Sequence, residues 1–226
     1  MMDQVKIIDI RAYVIDQAGS GGDYHDQDDG HWILDSRIST PMSPYLDFKK
    51  SRTSFGINVM KSIVVEVEAS DGSIGVSTGQ GGAPACYMIE QHFRRFIVGL
   101  DPRDINKAWD QMYRASMYYG GKGLPMWAIS VVDLALWDLL GVIRNEPVYK
   151  MIGGAVRDEI ELYCTGIRPD AAKEAGFIGG KMPLPFAPVD RHDGLKANVE
   201  HFQEMRNKVG PDFWLMADCW MSLDVS

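Results

Sequence analysis

The chain has 226 residues, 46% of them hydrophobic and 24% charged, with a formal net charge of -8. That is enough chain, and an ordinary enough balance, for one large or two modest globular domains with a real core. The negative charge, with no basic stripe to offset it, argues against a nucleic-acid partner; an anionic substrate would need local cations or a metal.

The opening MMDQVKIIDIRAYVID carries early charges and reads as a strand over residues 5–15, not as a signal peptide. Residues 18–31 are rich in Gly and Asp and read as a loop. Residues 62–78 form the clearest hairpin pattern. Ile63, Val65, Val67 and Ala69 share one face, and Asp71-Gly72 supplies the turn before Ile74 and Val76. Helical patterns follow over Met88–Val98 and Pro102–Met117, and a third opens at Pro125 and runs to about Gly141. The third is apolar nearly all round, which predicts burial on several sides. The stretch Met126–Ile143 is interrupted by Asp133 and Asp138 and reads as too short and too charged to cross a bilayer.

The rhythm changes after Gly153-Gly154. Strands are predicted over Ile160–Cys164, Phe177–Lys181 and Phe213–Asp218, separated by helices over Asp170–Ala175 and Gly194–Val209. This β-α-β-α-β order predicts adjacent parallel strands. Residues 155–226 number 72. A full eight-unit barrel needs roughly 250 residues, so this segment holds two units and one further strand. It reads as a barrel truncated after its third strand, or as a small open sheet.

Three cysteines, Cys86, Cys164 and Cys219, lie far apart, which predicts reduced thiols in a cytoplasmic protein and excludes a CxxC zinc pattern. Gly79-Gln80-Gly81-Gly82-Ala83-Pro84 follows a hairpin and has Pro84 where a dinucleotide loop needs its third glycine. Gly180-Lys181 is followed by Met182, not by the Ser or Thr of a phosphate loop. The acidic loop over residues 23–31 has only Asp29 in a suitable calcium-ligand register, so taken alone it reads as a solvated loop sooner than as a cation site. Arg52 is either a surface ion-pair former or a bidentate clamp on a carboxylate. Asp218 ends an apolar strand, where a charge is costly without a role. Strand C-terminal ends are where α/β folds build their sites, so Asp218 suits a magnesium ligand or an acid/base group, against the alternative of a helix N-cap.

Asp133-Leu-Ala-Leu-Trp137-Asp-Leu-Leu-Gly141 and Pro147-Val-Tyr-Lys-Met-Ile-Gly-Gly154 resemble the barrel entry of the mandelate racemase branch of the enolase superfamily. Gly22-Asp-Tyr-His25-Asp-Gln27, Ser51-Arg52, Gly176-Phe-Ile-Gly-Gly-Lys-Met-Pro183 and Asp218-Cys-Trp-Met221 resemble the L-rhamnonate dehydratase family within it. The resemblance implies an α+β capping domain over residues 1–145, then the start of a (β/α)7β TIM-like barrel over residues 146–226. It implies Mg²⁺-dependent dehydration of a sugar acid, a homo-oligomeric assembly, and no membrane or nucleic-acid partner. It makes Asp218 the first of three carboxylate metal ligands and His25 and Arg52 substrate contacts. The proton-transferring His–Asp pair of that family is expected on strands beyond these 226 residues. Lys181-Met182-Pro183 lacks the second lysine that serves related racemases as base. The 226 residues alone are therefore expected to be inactive; a non-catalytic binding or oligomerisation module, or a dehydratase of another acid sugar, is the alternative.

Overall fold

The structure, a computed structural model, describes residues 5–15, 32–48 and 60–224. In chain order the elements begin with strand β1 (Ile7–Val14) and a helical turn α1 (Trp32–Asp35). The hairpin β2 (Ser62–Ala69) and β3 (Ile74–Gln80) follows. Then come α2 (Gly82–Met88), a π-helical stretch (Ile89–Phe93), α3 (Arg94–Ile97), α4 (Ile105–Ser116), α5 (Leu124–Arg144) and α6 (Val148–Met151). The last part alternates β4 (Tyr163–Thr165), α7 (Pro169–Glu174), β5 (Gly179–Pro183), α8 (Arg191–Val209) and β6 (Trp214–Asp218). The chain divides into two compact units.

The first unit takes residues 5–15 and 60–156 among those described. Its sheet is antiparallel in the order β1-β2-β3. β2 alternates as its sequence demands: Ile63, Val65, Val67 and Ala69 are all fully buried. The Asp71 carboxylate accepts from the Ser73 N–H at 3.0 Å, and Gly72 takes a φ of 87°, which closes the turn. The helices cover one face of this sheet, with Phe93, Met112, Ile129, Leu136 and Leu139 in the same core.

Helix α5 packs on β3 because β3 is nearly bare there. A Cβ added at Gly75 would lie 2.3 Å from the Ala135 carbonyl oxygen and 2.4 Å from the Leu139 nitrogen. The Ser77 hydroxyl donates to the Val131 carbonyl at 2.6 Å, and the Val76 N–H donates to the Asp138 carboxylate at 2.8 Å. The expectation that the stretch Met126–Ile143 is too short and too charged to cross a bilayer does not hold. With 21 residues, α5 is long and apolar enough to cross a membrane by length and composition. Its packing marks it as a core helix, since nine of its residues, Pro125 to Leu140, are buried against the sheet and the neighbouring helices. Asp133 stays half-buried, and burial pushes its carboxyl above the usual range.

The second unit takes residues 32–48 and 157–224 among those described. Its sheet is parallel in the order β4-β5-β6, as the sequence rhythm predicts. Helices α7 and α8 cover one face, with Ala172, Met182, Met205, Val209 and Phe213 in a small core. The strands read over Ile160–Cys164, Phe177–Lys181 and Phe213–Asp218 run instead over Tyr163–Thr165, Gly179–Pro183 and Trp214–Asp218. β4 begins at Tyr163, because ladder pairing with β5 starts at Tyr163 opposite Gly179. Ile160 and Leu162 ahead of it are exposed, so their apolar character does not mark a buried strand. β5 runs two residues further, to Pro183, where the missing N–H falls on the last ladder position.

Residues 36–43 belong to this second unit, although they precede the hairpin in sequence. The Ser39 N–H donates to the Leu184 carbonyl at 2.8 Å, and Arg37 Nε donates to the Pro185 carbonyl at 3.1 Å. Arg37 also pairs with Asp190 at 3.1 Å and lies 4.1 Å over the Phe186 ring. The Phe186 backbone is gripped a second time by Asn198 of α8, whose amide accepts from its N–H at 3.0 Å and donates to its carbonyl at 2.9 Å. Asn198 is 9% exposed, so losing its amide strands two backbone groups away from water. Asn198→Ala is expected to cost about 2–3 kcal/mol of stability, read as a lower denaturant midpoint at unchanged m-value. A loss below about 0.5 kcal/mol would mean that water replaces the amide.

Candidate functional site

The parallel register sorts the second sheet into two faces. Thr165 lies opposite Lys181, Lys181 opposite Met216, and Pro183 opposite Asp218. Side chains in parallel register share a face and alternate along each strand. Tyr163, Thr165, Lys181, Met216 and Asp218 therefore line one face. Cys164, Met182 and Leu215 line the other, where they pack with the helices.

Asp218 stands at the C-terminal end of β6, as the sequence predicts. Its two oxygens have separate partners. Oδ1 accepts from the Trp220 N–H at 3.0 Å, and Oδ2 lies 3.1 Å from Lys181 Nζ. Both side chains are part-exposed, 27% for Lys181 and 31% for Asp218. Lys181 Nζ also lies 5.7 Å from the centre of the Tyr163 ring.

The turn after Asp218 is tightly specified. Trp220 and Met221 both take positive φ, 45° and 57°, a conformation that costs energy in residues other than glycine. The Ser222 N–H and hydroxyl both donate to the Cys219 carbonyl, at 2.8 and 2.7 Å. The Ser222 hydroxyl also shares a 2.8 Å hydrogen bond with the Ser39 hydroxyl. The Trp32 and Trp220 rings meet edge to face at 6.4 Å. Residues 32–39 thus brace the turn that presents Asp218.

Asp218 is a hard oxygen donor of the kind magnesium takes. Among the described residues no group of three or more His, Cys, Asp or Glu side chains could hold a metal ion. The fit is thus that of one carboxylate, already beside a cationic group at the distance of an ion pair. An open apolar groove of about 560 Å³ lies on the helix-covered side of the same strand, lined by Leu184, Phe186, Leu195, Val199, Ala217 and Cys219 among others. Its lining is mostly apolar, with Arg191 and Asn198 among the lining residues, and offers a sugar acid little to bond with. His25 and Arg52 lie outside the described residues. The lysine at the heart of this cluster was not legible as a partner of Asp218, because their 37-residue separation closes only through the register of two strands.

Residues 40–153 match the model of the mandelate racemase / muconate lactonizing enzyme N-terminal domain. The chain belongs to that family. Its first unit is the α+β capping domain, and its parallel sheet is the start of the TIM-like barrel. It is 54% identical over 221 residues to an L-rhamnonate dehydratase from Saccharopolyspora erythraea, a match spanning 98% of this chain and 56% of that relative. A rhamnonate dehydratase from Gibberella zeae complexed with Mg superposes with a TM-score of 0.92 at 59% identity, over 97% of this chain and 54% of that one. A racemase from Streptomyces coelicolor with bound magnesium gives a TM-score of 0.68 at 28% identity, over 97% of this chain and 56% of that one. The chain spans about half the length of the curated relative it matches.

Proposed function

We propose that these 226 residues are the N-terminal portion of a magnesium-dependent acid-sugar dehydratase that converts L-rhamnonate to 2-keto-3-deoxy-L-rhamnonate. The observation that carries this reading is the carboxylate of Asp218 at the C-terminal end of a barrel strand, braced by its own turn. The similarity to rhamnonate dehydratases over nearly the whole chain supports the substrate. By sequence, residues 1–145 are assigned to the capping domain and residues 146–226 to the barrel domain, although the described residues 32–48 group with the second compact unit and residues 146–156 with the first.

In this reaction the proton α to the carboxylate leaves, the 3-hydroxyl departs as water, and the resulting enol tautomerises to the 2-keto acid. Bound Mg²⁺ supplies Lewis acidity for the negative charge that builds on the carboxylate oxygens. Asp218 contributes one oxygen ligand, and the Trp220 N–H fixes the orientation of that carboxylate. Arg52 offers a planar two-pronged donor for the polar end of the substrate. His25 helps enclose the substrate and exclude water. No residue of this chain is assigned as the base, since Lys181-Met182-Pro183 offers a single lysine there. A His–Asp pair on later strands is the expected proton acceptor. The enzyme is proposed to be cytoplasmic and homo-oligomeric.

The test uses an extended protein in which residues 1–226 are followed by the corresponding remainder of the Saccharopolyspora erythraea dehydratase. A panel of six-carbon acid sugars with Mg²⁺ is expected to give the highest kcat/KM for L-rhamnonate, with activity removed by EDTA and restored by Mg²⁺. Preference for another acid sugar would move the substrate assignment; turnover unaffected by EDTA would remove the metal. In the same protein Arg52→Ala is expected to lower kcat/KM for L-rhamnonate by roughly 10²-fold, the scale of a lost charge-assisted bidentate contact, with thermal stability unchanged. Unaltered kcat/KM would take Arg52 out of the site.

A further inference from the structure

We propose that Glu90 and Arg94 are a latch on the outer edge of β1. They occupy the backbone groups that β1 turns away from β2, and releasing them lets β1 pair edge to edge with β1 of a second copy of this chain.

β1 has β2 on one side only, so it is an edge of the three-stranded sheet. Such an edge carries a row of backbone N–H and C=O groups able to recruit another strand. The Ile15 N–H donates to the Ser62 carbonyl at 2.8 Å, so alternation along β1 turns the groups of Ala12 and Ile10 outward. The register shift between Ile7 and Asp9 turns Ile7 outward as well. These outward groups are taken. The Ile7 N–H donates to the Leu100 carbonyl at 3.0 Å, and the Ile7 carbonyl accepts from the Gly99 N–H at 2.8 Å. The Ile10 carbonyl accepts from the Arg94 guanidinium at 3.0 Å, and the Ile10 N–H donates to the Asp9 carboxylate at 2.8 Å. The Ala12 N–H donates to the Glu90 carboxylate at 3.1 Å. Arg94 also pairs with Asp9, which ties its guanidinium along the strand.

The helical stretch behind β1 places both side chains. Ile89 and Phe93, four residues apart, are fully buried and anchor the π-helical turn. Glu90 and Arg94 repeat that spacing one residue on, so they leave the core on the same side and reach β1. The opposite edge of the sheet uses the same chemistry, since the Val76 N–H of β3 donates to the Asp138 carboxylate of α5 at 2.8 Å. Charged groups suit this task. They fill the hydrogen-bonding positions, and an incoming strand would have to displace or bury their charge.

Closure over Ile10 and Ala12 is made by side chains, and by neighbouring backbone only at Ile7, so shortening two side chains opens it. The fitting occupant is then the same strand of a second copy, because a two-fold axis sets β1 antiparallel to itself. Ile8 and Tyr13, 46% and 47% exposed, would gain cross-strand neighbours in that pair.

The 226-residue parent is compared with Glu90→Ala, Arg94→Ala, the double alanine variant and Glu90→Gln. Sedimentation over a range of concentrations gives the mass, and hydrogen exchange locates the contact. The double variant is expected to reach about twice the parent's mass at high concentration, as a closed two-fold pair requires. Exchange over Ile7–Val14 is expected to slow as its concentration rises, while exchange over the β2–β3 hairpin matches the parent. Each single alanine variant shifts the same way at higher concentration, which keeps the test available if the double variant fails to fold. Glu90→Gln keeps an oxygen for the Ala12 N–H and is expected to stay at the parent's mass.

Alanine variants with the parent's mass at every concentration overturn the proposal. A rise in mass without protection of Ile7–Val14 also overturns it, because the contact then lies elsewhere. So does a rise accompanied by faster exchange over the hairpin, which marks aggregation of unfolded chains. Association of Glu90→Gln to the extent of Glu90→Ala would mean that charge, not the hydrogen bond to Ala12, keeps copies apart, and the latch falls.

Discussion

Asp218→Asn in the extended protein is expected to lower kcat/KM for L-rhamnonate by roughly 10³-fold, because a metal ligand supports several kcal/mol of charge stabilisation at the reacting carboxylate. The substitution is nearly isosteric. The amide oxygen still accepts from the Trp220 N–H, so the turn bearing Trp220 and Met221 keeps its hydrogen bond. What changes is the charge offered to the cation. The loss should therefore appear with unchanged circular dichroism and a sharply higher Mg²⁺ concentration for half-maximal rate. Activity within about threefold of the parent at the same Mg²⁺ concentration would take Asp218 out of the metal's coordination.

A large effect on stability is expected at Gly75→Val. Its Cβ would fall 2.3 Å from the Ala135 carbonyl and 2.4 Å from the Leu139 nitrogen, both backbone atoms of α5. Backbone cannot swing aside as a side chain does, so strand and helix must part. That separation would also loosen the Ser77 hydroxyl from the Val131 carbonyl and the Val76 N–H from Asp138. A cost of about 3 kcal/mol or more is expected, measured by urea unfolding. Gly72→Ala is the control. A Cβ at Gly72 meets nothing within 4 Å, and only its φ of 87° opposes the change, so about 1 kcal/mol is the expected cost. Equal effects at the two glycines would show that conformation, not the close approach of α5, is what Gly75 supplies.

How much of this was legible in the sequence depended on where the controlling interaction lay. The face of β2 could be read off its alternation, because one side of an antiparallel sheet is buried and the other is not. The parallel order of β4, β5 and β6 followed from the strand–helix rhythm. Boundaries failed where composition and burial parted. Ile160 and Leu162 are apolar yet exposed, and Pro183 sits inside a strand because it is the last residue of the ladder. Helix α2 begins at Gly82, ahead of the helical pattern that the sequence shows over Met88–Val98. The placing of residues 36–43 in the second unit could not be read at all. Its anchors are Ser39, Thr40 and Ser43, three small polar residues that are almost wholly buried. Nothing in a one-dimensional pattern distinguishes them from surface serines and threonines.

The candidate site divides in the same way. Asp218 could be singled out because a charge at the end of an apolar strand is improbable without a purpose. Its ion pair with Lys181 could not, since it depends on Pro183 standing opposite Asp218 in the ladder. The bracing by Trp32 and Ser39 comes from a segment about 180 residues earlier, as the Ser39–Ser222 separation of 183 shows. His25 and Arg52 rest on motif resemblance and fall outside the described residues.

The most direct measurement is a side-by-side assay of L-rhamnonate with Mg²⁺, comparing the purified 226-residue protein with the extended protein and following 2-keto-3-deoxy acid formation. The account predicts product from the extended protein, none above background from the 226 residues alone, and loss of the product on Asp218→Asn. Turnover by the 226 residues alone, abolished by Asp218→Asn, would contradict the claim that these residues contribute a metal ligand and substrate contacts but no base. An inactive extended protein that is folded and binds Mg²⁺ would contradict the dehydratase reading itself.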